Sequence, residues 1–92
     1  MSNSYVYNLV HIVFSTKNRV RVISEDTQAK LWAYIAGIAK NHGMYAVAIG
    51  GMEDHIHALI NLGGVLATAK AVQLLKANSS RWMNQHARTR FE

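Results

Sequence analysis

The sequence predicts an α+β fold: an antiparallel sheet with two helices on one face, in the order β-α-β-β-α. Three observations carry this prediction. Short apolar runs rich in β-branched or aromatic residues have strand length and strand alternation. Two longer segments repeat their apolar residues at helical spacing. Glycines and polar residues mark the boundaries, because the chain contains no proline.

Taken in order, "YVYNLVHIVFST" (residues 5–16) reads as the first strand, and "KNRVRV" as a turn or ragged continuation. Ser24, followed by Glu25 and Asp26, starts a helix: a capping hydroxyl, then acids at the positive end of the dipole. Leu31, Ile35, Ile38 and His42 form its stripe, widened by Trp32, Ala36 and Ala39, and Gly43 sits at the C-cap. "MYAVAIG" is a second strand, "GMED" a turn, and "HIHALINL" a third strand closing a hairpin. Gly63 and Gly64 break it. Residues 65–86 are helical, with Thr68 as candidate cap and Val72, Leu75, Ser79 and Trp82 on one face.

This order is most of a ferredoxin-like unit, which ordinarily closes with a fourth strand. No such strand is visible before the chain reaches "TRFE". Two helices on one face leave the other face of the sheet open.

The 92 residues are expected to form a single domain, residues 1–92, and 50% of them are hydrophobic, enough for a core without staples. With no cysteine, disulfides and thiolate zinc sites are excluded, and a reducing compartment is the easier reading. No apolar stretch approaches the roughly 20 residues of a membrane helix. The N-terminus also lacks the order of a secretory signal. A soluble, cytoplasmic protein with no membrane association is therefore expected. Ten Lys and Arg against five Asp and Glu give a formal charge of +5, which favours polyanionic partners. Lys17, Arg19 and Arg21 follow the first strand, while Arg81, Arg88 and Arg90 cluster near the C-terminal end.

The histidines carry the chemistry. Along "HIHALINL" the set Ile56, Ala58, Ile60 and Leu62 is uniformly apolar and must face the helices, so His55 and His57 lie on the open face with Leu59 and Asn61. Imidazoles two residues apart on a strand are roughly 6.5–7 Å apart at the backbone and can share one cation. Asp54, if it continued the strand, would point the other way. By the same alternation His11 shares the open face when Val10, Ile12 and Phe14 face the helices. His55 and His57 are the candidate metal ligands. His11, Lys17, Arg19, Arg21 and Arg81 are the candidate nucleic-acid contacts. No phosphate loop, dinucleotide fingerprint or metalloprotease helix is present.

"HIVFSTKNR", "YIAGIAKNHG", "AIGGMEDHIHALINL" and "LLKANSSRWMN", in this order, resemble the small single-tyrosine transposases of the insertion-sequence 200/605 group and their relatives associated with repetitive extragenic palindromes. The resemblance implies a ferredoxin-like fold, dimers, and recognition of single-stranded or hairpin DNA. It also implies cleavage by a tyrosine hydroxyl, leaving a 5′-phosphotyrosine and a free 3′-hydroxyl that later rejoins a new partner. The family's histidine–hydrophobe–histidine motif, matched by His55, Ile56 and His57, holds Mg²⁺ or Mn²⁺, which polarises the phosphate.

The match has a gap. In the family the nucleophile lies on a helix after the fourth strand, in a tyrosine-x-x-x-glutamine pattern. None of Tyr5, Tyr7, Tyr34 or Tyr45 is followed four residues later by glutamine. The expectation is thus a truncated transposase with fourth strand and catalytic helix missing, a metal half-site and no catalytic residue, inactive alone and self-associating through the exposed edge of its first strand. The residues by themselves also admit a non-catalytic nucleic-acid-binding module with incidental histidines, and a small metal-binding protein.

Overall fold

A computed structural model describes residues 8–64 and 67–92. Three strands and two helices follow one another as β1 (Leu9–Ser15), α1 (Glu25–Asn41), β2 (Tyr45–Met52), β3 (His55–Asn61) and α2 (Thr68–Ala87), with a short 3₁₀ turn at Lys17–Arg19. The sheet is antiparallel in the order β1-β3-β2. This is the ferredoxin-like arrangement expected, with β1 leaving its outer edge for a fourth strand. The sequence expectation at Tyr5 and Tyr7, and at Val65, lies outside the described residues.

Local chemistry sets the ends of α1. The Ser24 hydroxyl accepts the Thr27 N–H at 3.3 Å, satisfying one orphan donor of the first turn. At the other end Gly43 adopts φ 76°, and the Gly43 and Met44 N–H groups bond the Lys40 and Ala39 carbonyls, a Schellman closure. Leu31, Ile35 and Ala39 are the fully buried positions. His42, expected in the stripe, is exposed; its ring instead meets the Ile38 carbonyl at 3.0 Å. The C-cap turn carries it away from the sheet.

In α2 the buried line is Ala71, Leu75, Ser79 and Met83, and Val72 and Trp82 flank it half-buried. Leu75 and Ser79 are buried as expected, and at its two ends the line passes through Ala71 and Met83 instead of Val72 and Trp82. Thr68 is not the cap: Ala67 holds that position, without a side-chain hydrogen bond.

Strand β2 contains an irregularity that alternation alone does not show. Ala46 pairs with Ile60 and Ala48 with Leu59, so Val47 is an extra residue. The bulge lets Ala46 and Ile49, three apart, both pack against the core. At the end of β3, Asn61 is buried rather than open, because its Oδ1 accepts the Asn8 and Gly63 N–H groups at 3.1 and 3.0 Å.

Among the described residues the sheet keeps three strands, as expected, and the tail adds an isolated bridge at its edge. Phe91 forms an antiparallel bridge to Thr16; Lys17 N–H donates to the Arg90 carbonyl and Glu92 N–H to the Ser15 carbonyl, each at 2.8 Å. The Phe91 ring is buried, 6.0 Å from that of Phe14. Residues 90–92 thus take the first step of a strand along the outer edge of β1.

Candidate functional site

The open face is built by β1 and β3 together. His57 lies across from Val13 on one side and Gly50 on the other, and His55 across from Ser15 and Met52. His11, diagonal to His57, brings its Nε2 to 3.2 Å from His57 Nδ1, with the rings stacked at 5.3 Å. The His55 and His57 rings meet edge to face at 5.0 Å. Nothing comes within 4 Å of where a Gly50 side chain would begin, so the approach to His57 from β2 is clear.

Asp54 has a part at the site that its place in the expected turn did not reveal. It sits in the β2–β3 turn, not on the strand, so alternation does not direct it away. Its Oδ1 accepts from His55 Nδ1 at 2.8 Å, and Arg19 Nε donates to Oδ2 at 3.2 Å. The His55 hydrogen bond, helped by the Arg19 bond and charge, holds the Asp54 carboxyl below the ordinary value of 3.8, against the desolvation that would raise it. An ionised carboxylate can only accept, so His55 carries its proton on Nδ1 and presents the Nε2 lone pair. His57 Nδ1 meets His11 Nε2, and when His57 is the donor of that bond its Nε2 lone pair is likewise free.

In that state two free Nε2 atoms, each with the opposite ring nitrogen held, match the way imidazoles are prepared for metal ligation. Imidazole nitrogens suit borderline ions best; the harder Mn²⁺ accepts them alongside oxygens, and Mg²⁺ fits only if oxygens fill most of its shell. Among the described residues no three His, Asp or Glu side chains converge on a common point. The described residues thus offer two neighbouring imidazoles with no third ligand group converging on them.

The basic candidates separate. Arg19 and Arg21 are spent on Asp54 and Glu53, the latter at 2.9 Å. Lys17 and Arg81 instead line one groove with Arg88 and Arg90. Neither described tyrosine can serve the histidines. Tyr34 lies on α1 with its ring 6.0 Å from Trp82, behind the sheet. Tyr45 pairs with Asn61, four residues from His57, or ~13 Å along the strand. Tyr5 and Tyr7 lie outside the described residues.

Residues 4–91 match the family described as Transposase IS200 like, and the chain belongs to that family. Its structure is similar to the crystal structure, at 1.90 Å resolution, of a protein described as a transposase from Deinococcus radiodurans. The TM-score is 0.80 at 24% identity, covering 96% of this chain and 68% of the other. At that identity the likeness speaks for the fold. No curated protein matches the chain in sequence. Family membership makes this a protein of DNA transposition, with DNA as the partner. Among the described residues no helix is long and apolar enough to cross a membrane.

Proposed function

We propose that this chain binds single-stranded or hairpin DNA on its open sheet face and holds a divalent ion, Mn²⁺ or Mg²⁺, through His55 and His57. The observation that supports it is the prepared pair, with Nδ1 of His55 held by Asp54 and that of His57 by His11. Leu9, Val13 and Met52, next to His11, His57 and His55 in turn, are all more than half exposed, an apolar surface that suits unstacked bases. An ion at the pair supplies Lewis-acid polarisation of a phosphodiester. His55 and His57 position it, Asp54 fixes the His55 tautomer, and Arg19 adds a second hydrogen bond to Asp54. The family reaction, transfer of a phosphoryl group to tyrosine, needs a hydroxyl that neither Tyr34 nor Tyr45 can bring. The chain alone binds without cutting.

Isothermal titration of Mn²⁺ tests the reading. Wild type should take up close to one ion per chain, and His55→Ala/His57→Ala none. The lack of a third ligand among the described residues favours one other reading, a binding module without metal. DNA binding with no Mn²⁺ uptake would establish it.

The outer edge of β1 supports self-association. Among the described residues it is paired only near Ser15, Thr16 and Lys17, which leaves the apolar stretch before them as a template for another strand. Sedimentation velocity should show dimers or larger species growing with concentration, and Val13→Lys should suppress them. A wild-type monomer at the highest concentration would remove this part of the proposal.

A further inference from the structure

The groove that gathers Lys17, Arg81, Arg88 and Arg90 lies round the edge of β1 from the histidine face. We infer that it is a second nucleic-acid site, one that holds the phosphodiester backbone of a single DNA strand. The inference rests on the DNA-handling reading above and adds a site that the histidine motif does not include.

Two parts of the chain distant in sequence build the groove: the 3₁₀ turn after β1, and the last turns of α2 with the tail that follows them. Backbone pairing fixes them to one another, through Lys17 N–H to the Arg90 carbonyl and Phe91 N–H to the Ser80 hydroxyl at 2.9 Å. The space enclosed is about 440 Å³. Besides the four cations its lining offers neutral hydrogen-bonding groups, among them Asn84 and Thr89.

Charge is the first argument. Among the described residues, Arg19 and Arg21 have carboxylate partners, whereas none of the four groove cations does. Glu92, the acid at the tail, directs Oε1 to the Asn18 N–H at 2.9 Å. The groove is thus a concentration of uncompensated positive charge in a chain of net charge +5.

Backbone geometry is the second argument. Arg88 closes α2 in the left-handed conformation, φ 52° and ψ 39°, where glycine is the favoured residue. The other non-glycine residues of positive φ among those described are Asn18 and Arg19, in the facing turn. Asn18 and Arg88 line a neighbouring cavity together. Strain of this kind persists where a side chain is wanted at that spot, and the residue here is a cation that lines the groove.

The lining also decides what is bound. It contains no aromatic ring on which a base could stack, so the contacts go to phosphate and not to base. Four exposed cations over an open groove exceed what one small anion needs; they suit a polymer whose binding releases counterions. Lys17 follows Thr16, whose N–H donates to the Asp54 carbonyl at 2.9 Å, so the groove begins where the His55 support ends. A strand with one phosphate at the histidine pair can continue into it.

Fluorescence anisotropy of a short dye-labelled oligothymidylate, over a salt series, tests the site. Arg88→Gly and Arg81→Gln should each weaken binding about five-fold at low salt and make the slope of log K against log salt shallower by about 0.7. Arg88→Gly should leave thermal stability unchanged or raised, because glycine relaxes the left-handed residue. Affinity and stability then move apart, which a merely structural arginine would not produce. Mn²⁺ uptake should be unaffected. Wild-type affinity and slope in the double variant would overturn the groove while leaving DNA binding intact. Displacement of the strand by inorganic phosphate at matched ionic strength would make it a small-anion site instead. A wild-type chain that bound no strand at low salt would end both readings.

Discussion

Gly51→Ala should unfold at a much lower temperature than wild type, while Gly50→Ala next to it should not. A Cβ at position 51 would collide with the His55 carbonyl and come within 2.9 Å of the Ile56 Cα. Both obstacles are backbone of the paired strand, so no side chain can swing away. The strands of the hairpin would have to part where Gly51 faces Ile56. Overpacking and backbone strain together put the cost at roughly 3 kcal/mol. A chain of this size has a stability of order 5–15 kcal/mol, so the loss is a large share of it. It should lower the melting temperature by more than about 10 °C. Gly50 is the control: a Cβ there meets nothing within 4 Å, and its substitution should fall within about 0.5 kcal/mol of wild type. Equal melting curves for the two variants would mean that the hairpin can absorb the collision.

That contrast shows what a sequence can and cannot disclose. The faces of β3 were legible, because Ile56, Ala58, Ile60 and Leu62 leave one solution, and all four are buried. Ser24 and Gly43 were legible as the ends of α1, because capping is local chemistry. "IGGM" shows two glycines alike, and only the partner strand tells them apart. Val47 as a bulge depends equally on what lies opposite, since β2 has the same composition with or without it. In α2 Leu75 and Ser79 were legible from helical spacing, whereas the choice of Ala71 and Met83 over their neighbours Val72 and Trp82 depends on what the helix packs against. At the site, the positions of His11, His55 and His57 follow from alternation. The role of Asp54 does not. It lies one residue outside the strand, where alternation stops and turn geometry decides.

That residue carries the second large effect. Asp54→Asn should weaken Mn²⁺ binding by about 10–100-fold, the usual range for a lost partner of a ligating histidine. The substitution keeps the shape of the side chain and removes its charge. A carboxylate can only accept, so it requires the proton on His55 Nδ1 and the lone pair on Nε2. An amide can also turn its NH₂ toward Nδ1, which moves the ring proton to Nε2 and blocks the ligand. Arg19 would also lose its ion-pair partner, but that pair is exposed on the arginine side and contributes little to stability. The melting temperature should therefore hardly change while metal affinity falls. Asp54→Glu separates charge from reach: it keeps the anion but lengthens the arm, so it should restore the tautomer only in part and bind between wild type and Asp54→Asn. If Asp54→Asn bound Mn²⁺ as tightly as wild type, His55 would not be a ligand through Nε2. The hydrogen bond at 2.8 Å would then serve only to close the turn.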